Sequence, residues 1–230
     1  MQLIMAAASP FARKVRVLLR ETDLLKDVQE VYVATSPFKS DPTAQAANPT
    51  GRIPSLTRPE GPALYDSRVI TRYLDARIDA GLYPQAELWD VLTLEATGDA
   101  MMDSAVSISY ETRLRPEHMI STDWIDAQWS KIIGGCDALQ NNWMPHLNGP
   151  LTMAHISTAC ALGYLDLRHD VRNWRQGHDD CVYIGWRETL SWPAQGQCQE
   201  GGSGAGGCQE GKSGVCVCVC VAGGCQEGES

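Results

Sequence analysis

A chain of 230 residues that is 43% hydrophobic and 20% charged has enough apolar material for one large domain or two small ones, and is expected to fold as a soluble globular protein. A net charge of −9 argues against nucleic acid as the main partner, because a phosphate-binding surface needs an excess of Lys and Arg. No run approaches the roughly 20 apolar residues of a membrane-spanning helix and no secretion signal opens the chain, so neither a membrane nor export is expected and the cytoplasm is the expected location.

Residues 2–5 form a short apolar run, and the small residues 6–8 lead to Ser9 and Pro10, a helix-start signal. This reads as strand, loop, helix. After Phe11 the apolar Val15, Leu18, Leu19 and Leu25 keep roughly helical spacing, with Arg13, Lys14, Arg16 and Arg20 interleaved. Residues 28–33 alternate in part and are rich in valine, which predicts a second strand. Turn chemistry at Asn48, Pro49, Thr50 and Gly51 leads to a third strand at 55–57, and a turn at 59–62 leads to a fourth at 63–65. Asp66 and Ser67 then open an amphipathic helix carrying Val69, Ile70, Tyr73 and Leu74 and running to about Asp79.

Residues 81–84 break the pattern, and residues 86–176 carry only helix signals. Helices are predicted at 86–113, 122–143 and 152–168, with a kink or weak point at Gly134 and Gly135, since glycine costs about 1 kcal/mol relative to alanine inside a helix. From Gly177 onward no helix period survives. This stretch holds 13 of the 21 glycines and 7 of the 9 cysteines, repeats Cys-Gln-Glu-Gly three times, and alternates Val and Cys over 215–221. It reads as a low-complexity tail at 177–230, expected to be disordered and to reflect a change of reading frame or a wrongly assigned exon rather than a functional extension. Cys216, Cys218, Cys220 and Cys225 lack zinc-site spacing, as do the five histidines, so no metal is expected. Only Cys136 and Cys160 precede the tail, which suits a reducing compartment.

Three segments carry a resemblance. They are residues 9–16 (Ser-Pro-Phe-Ala-Arg-Lys-Val-Arg), 48–54 (Asn-Pro-Thr-Gly-Arg-Ile-Pro) and 66–70 (Asp-Ser-Arg-Val-Ile). In this order and spacing they resemble the glutathione-contacting segments of glutathione S-transferases of the bacterial Ser-type branch. Residues 151–154 and 161–166 are similar to the family's late core helix, and the resemblance ends near Arg175. It implies a thioredoxin-like α/β domain at 1–80 that binds glutathione, an all-α domain at 86–176, and a homodimer. The implied activity is conjugation of reduced glutathione, as co-substrate with no other cofactor, to a small electrophile. A non-catalytic scaffold of the same fold, or a product destabilised by its aberrant C-terminus, are the alternatives.

The resemblance assigns roles that elementary chemistry supports. Ser9 stands where redox relatives carry cysteine, so it cannot exchange disulfides; at a helix start it can only position and acidify a sulfur that arrives with the substrate. Phe11 accompanies it. Ile53 and Pro54 resemble the family's cis-proline step, which turns a backbone edge toward the cysteinyl residue of glutathione, and Arg52 is placed to meet a carboxylate. Asp66 and Ser67, at a helix N-terminus, are placed for the γ-glutamyl ammonium and carboxylate. Met102 and Tyr110, with Met101, Ser104 and Ser107, are candidates for the second substrate's wall. His155 occupies the fourth position of a Ser/Thr-x-x-Asp capping box, where the Asp would stand, and is expected to break it.

Overall fold

The computed structural model describes residues 1–178; the tail predicted beyond Gly177 falls almost wholly outside the described residues, and so do its cysteines. The opening segment runs β1 (Gln2–Met5), α1 (Pro10–Glu21), β2 (Gln29–Tyr32), α2 (Pro42–Ala47), β3 (Ser55–Thr57) and α3 (Ser67–Ile78). Its sheet has the order β2-β1-β3. β1 lies parallel to β2, with Ile4 opposite Val31, and antiparallel to β3, with Leu3 opposite Leu56. A parallel pair needs a crossover, and α1 supplies it.

Two elements differ from expectation. The fourth strand shrinks to one bridge, Leu64 exchanging backbone hydrogen bonds of 2.8 and 2.9 Å with Leu56. Pro62 has no N–H to extend the ladder on one side, and Asp66 is committed to capping α3 on the other. The short α2 is an addition to the expected elements, although its start is legible: Asp41 accepts from the Thr43 N–H at 2.8 Å and Pro42 fills the first helical position.

The helical segment contains α4 (Leu88–Leu114), α5 (Thr122–Ala138), α6 (Met144–Leu147) and α7 (Met153–His169). α-Helical bonding continues through Gly134 and Gly135, and the departure comes later, where Leu139–Trp143 widens to a π-helix. Gly135 is small for a packing reason. A Cβ there would lie 2.7 Å from the Met101 sulfur, so glycine lets α5 close onto α4. Gly98 serves α4 against α7 in the same way, since its Cβ would meet Ser157 Oγ at 2.6 Å.

The capping box of α7 forms instead of breaking. His155 Nδ1 accepts the Thr152 N–H at 3.1 Å and lies 2.9 Å from Thr152 Oγ1. The ring nitrogen sits as far along the side chain as an aspartate oxygen, so imidazole supplies the acceptor that a carboxylate otherwise provides. One hydrophobic core runs through both segments, from Leu3, Leu18, Leu56 and Ile70 to Leu94, Ile108, Ile132 and Ile156. Gly177 and His178 belong to this fold: Gln140 donates to the Gly177 carbonyl at 3.0 Å, and His178 Nε2 lies 2.9 Å from Asp137. Among the described residues no helix is long and apolar enough to cross a membrane.

Candidate functional site

The loop after β1 delivers Ser9 to the start of α1. Its Oγ accepts the Ala12 N–H at 3.2 Å while Pro10 fills the first turn, which contains no acidic residue. The positive end of the helix dipole is therefore left without a compensating carboxylate of its own. Ser9 is half-buried; because its oxygen is the acceptor in the cap, its hydroxyl proton is the group left to donate. Phe11 is half-buried against the core.

The second segment is built around Asn48. Its amide oxygen accepts the Thr50 N–H at 3.0 Å, and its amide nitrogen donates to the Arg52 carbonyl at 3.0 Å, a carbonyl that also accepts from Ser55 Oγ at 3.3 Å. Gly51 completes the turn at φ +67°, and a Cβ there would collide with Ser40 Oγ at 2.5 Å. The Ile53-Pro54 bond is cis, as expected from the resemblance. Ser55 pairs with Ile4, so the antiparallel register carries Pro54 to the end of the sheet from which the Ser9 loop leaves. Arg52 is exposed beside this turn.

Asp66 caps α3, Oδ1 accepting the Arg68 N–H at 3.0 Å and Oδ2 accepting from the Arg68 guanidinium at 2.9 Å. Partial burial opposes the charge on Asp66, but the Arg68 guanidinium and backbone N–H, helped by Lys14, hold its carboxyl below the usual carboxylate range. The Tyr65-Asp66 bond is also cis. Ser67 is 2% exposed and so presents little surface at the helix start.

Below these residues lies a polar cluster absent from the sequence-based expectations. Lys14 is fully buried and bridges Glu95 at 2.9 Å and Asp99 at 2.7 Å, both on α4. Tyr83 donates to Glu95 at 3.0 Å and lies 2.9 Å from Thr71 Oγ1, while Ser157 donates to the Glu95 carbonyl at 3.1 Å. Burial and then the Glu95 charge push the Tyr83 phenol far up, so it stays a donor. The signal available in the sequence is the Glu95/Asp99 pair at i, i+4, which places two carboxylates on one face of α4.

The expected wall of the second substrate divides. Met101 and Met102 are core residues, Met102 without exposed surface, and Ser104 is buried; methionine at helical spacing marks packing here. Ser107 accepts the indole N–H of Trp124 at 3.1 Å, and Tyr110 is 48% exposed. Burial, then the neighbouring Asp99, push the Asp103 carboxyl up against the opposing charges of Arg52 and Arg68. Arg52 acts on Tyr110 as well, so Arg52, Asp66, Asp103 and Tyr110 share one electrostatic neighbourhood. Cys160 is fully buried, and burial pushes its thiol up to about 12, which makes it inert. Among the described residues no group of His, Cys, Asp and Glu is arranged to hold a metal.

Residues 8–77 match the model of the glutathione S-transferase N-terminal domain and residues 122–182 that of the C-terminal domain. A glutathione transferase family member from Pseudomonas fluorescens Pf-5, solved with bound glutathione, is 38% identical; the match covers 82% of this chain and 96% of that one, with a TM-score of 0.79. A glutathione S-transferase from Methylobacillus flagellatus KT, also with glutathione bound, is 34% identical over 82% of this chain and 96% of that one, with a TM-score of 0.72. An uncharacterized GST-like protein of Escherichia coli K12, YibF, is 29% identical over 179 residues, covering 76% of this chain and 86% of the relative.

Proposed function

Because the chain belongs to the glutathione S-transferase family, we propose that it binds reduced glutathione and transfers it to a small electrophile, with the thiolate stabilised at Ser9. The observation that carries this reading is the Ser9 cap. One oxygen takes the Ala12 N–H and keeps its proton for a sulfur lying before the positive end of α1. Glutathione is its co-substrate, and no further cofactor enters.

The tripeptide is taken to lie extended along Ile53, whose amide and carbonyl form no hydrogen bond among the described residues and are available to pair like an added strand. Asp66 and the first turn of α3, with Ser67, receive the γ-glutamyl ammonium and carboxylate, and Arg52 is placed for a second carboxylate. In the reaction the glutathione thiol gives its proton to solvent and the thiolate sulfur bonds to the electrophilic carbon. The electron pair passes to the leaving group, or to the atom that takes up a proton. Ser9 supplies a hydrogen bond and does not itself become a base. Self-association into a homodimer in the cytoplasm completes the reading.

Two measurements test it. Millimolar glutathione is expected to raise the thermal midpoint, because a ligand that binds only the folded state must stabilise it. Ser9→Ala is expected to lower kcat about tenfold while leaving glutathione affinity within about twofold, since the hydroxyl acts on sulfur and not on the peptide. Ser9→Ala kinetics equal to those of the wild type throughout about pH 6 to 8 would remove Ser9 from the mechanism.

A further inference from the structure

We propose that the start of α7 is a proton-sensitive joint: a proton taken up by His155 opens the capping box and loosens the first turn of α7 from the segment that leads into α4. The joint belongs to the fold and is independent of glutathione.

The box fixes the form of the ring. The Thr152 N–H can only donate, so His155 Nδ1, which receives it at 3.1 Å, carries no proton, and the proton of the neutral imidazole sits on Nε2. Thr152 Oγ1 lies 2.9 Å from the same nitrogen. An aspartate in this place has several lone pairs and keeps accepting until its carboxylate protonates, at about pH 4. Nδ1 has one lone pair, and in water a proton fills it at about pH 6.5. Once it is filled, the ring N–H points at the Thr152 N–H, donor against donor. A positive charge then stands in the first turn of a helix whose dipole is already positive there. That turn holds no acidic residue to offset it, and His155 is only 3% exposed.

The charged groups packed around the box favour the neutral ring. His146, on α6, lies with its ring centroid 5.6 Å from that of His155; its Nε2 is 3.4 Å from Thr152 Oγ1 and its Nδ1 3.5 Å from Glu87. A proton on His146 is therefore accommodated, and the charge it brings repels a second one on His155. Asp75, on α3, is committed to the Leu82 N–H at 2.8 Å, and Glu95 and Asp99, on α4, are committed to Lys14. The turn that the box closes also ties α7 to its surroundings. The Met153 N–H donates to the Leu82 carbonyl at 2.9 Å, and one turn later Ser157 donates to the Glu95 carbonyl at 3.1 Å. The closed box excludes a proton that the opened one admits, so its stabilisation is complete above about pH 7 and is lost as pH falls through about 6.5.

Amide hydrogen exchange in the full chain, followed by NMR, tests this, because the Thr152 N–H is the donor that the ring receives. Its protection factor is expected to fall about tenfold between about pH 7.5 and 5.5. In His155→Asp, which leaves the other four histidines in place, the expected fall is less than about twofold. Equal falls in the two proteins assign the pH dependence to another group and overturn the inference, as does a wild-type protection factor that stays constant. The 15N shifts of the wild-type His155 ring give a second measurement that needs no variant, with Nδ1 expected to be the unprotonated nitrogen at about pH 7.5. A proton on Nδ1 at that pH, or a charged His155 with the Thr152 amide still protected, also overturns it.

Discussion

Ser9, Asp41, Asp66 and Ser121 each satisfy a free N–H at a helix start with a side-chain oxygen, and two of them are also residues that the proposed site uses. Capping and binding are compatible because a capping oxygen keeps other valences: a proton on Ser9, further lone pairs on Asp66. This is why those positions are legible as helix starts from sequence, while capping alone cannot show what else they face. Met102 departs from expectation for a related reason, since helical spacing gives a residue's face but not whether that face meets core or groove. Asp103 allows a test of the local field. Burial and Asp99 raise its pKa in the folded chain, so the fold retains a proton there to higher pH than the unfolded chain does. Its contribution to stability therefore falls as pH rises from the usual carboxylate range through the raised value. Asp103→Asn is expected to match the wild-type melting temperature at about pH 3.5 and exceed it at about pH 7. A melting-temperature difference that stays constant with pH contradicts the assignment.

At the scale of elements, the β-α-β opening, α3 and the three long helices are readable because each couples a start signal to an apolar period. What escapes the sequence is decided between elements. Pairing at 63–65 stops at Leu64 for want of a donor at Pro62, and the two glycines of α5 look like weak points in sequence although Gly135 makes room for Met101. The box at α7 turns on chemistry, because imidazole acts there as an acceptor at the aspartate position and not merely as a bulky ring. His155→Asp is accordingly expected to keep the box and change unfolding free energy by less than about 1 kcal/mol, whereas His155→Ala removes the acceptor and costs about 1 to 2 kcal/mol by urea denaturation. If both variants lose the same stability, His155 is there for packing and the hydrogen bond contributes little.

Across the whole molecule, the opening segment and the helices share an apolar core, but the most specific contact between them is ionic. Lys14 projects from α1, the helix that Ser9 starts, and ends between Glu95 and Asp99 of α4. A buried ion pair offers little net stability against apolar residues of equal volume, yet removing one partner leaves charge stranded in a poor solvent, which typically costs about 3 to 5 kcal/mol. Lys14→Met strands Glu95 and leaves Asp99 only the Arg68 guanidinium at 3.7 Å, and is expected to fall within that range. Combining it with Glu95→Gln and Asp99→Asn removes the stranded charge and is expected to recover more than half of the loss, since the amide oxygens that replace the two carboxylates can still accept from Tyr83 and Ser157. Such recovery would show that charge balance, not the lysine's contacts, is what the junction requires. Purely additive losses across the three substitutions would mean instead that α1 is held by its apolar face, through Val15, Leu18 and Leu19, and that Lys14 is only accommodated there.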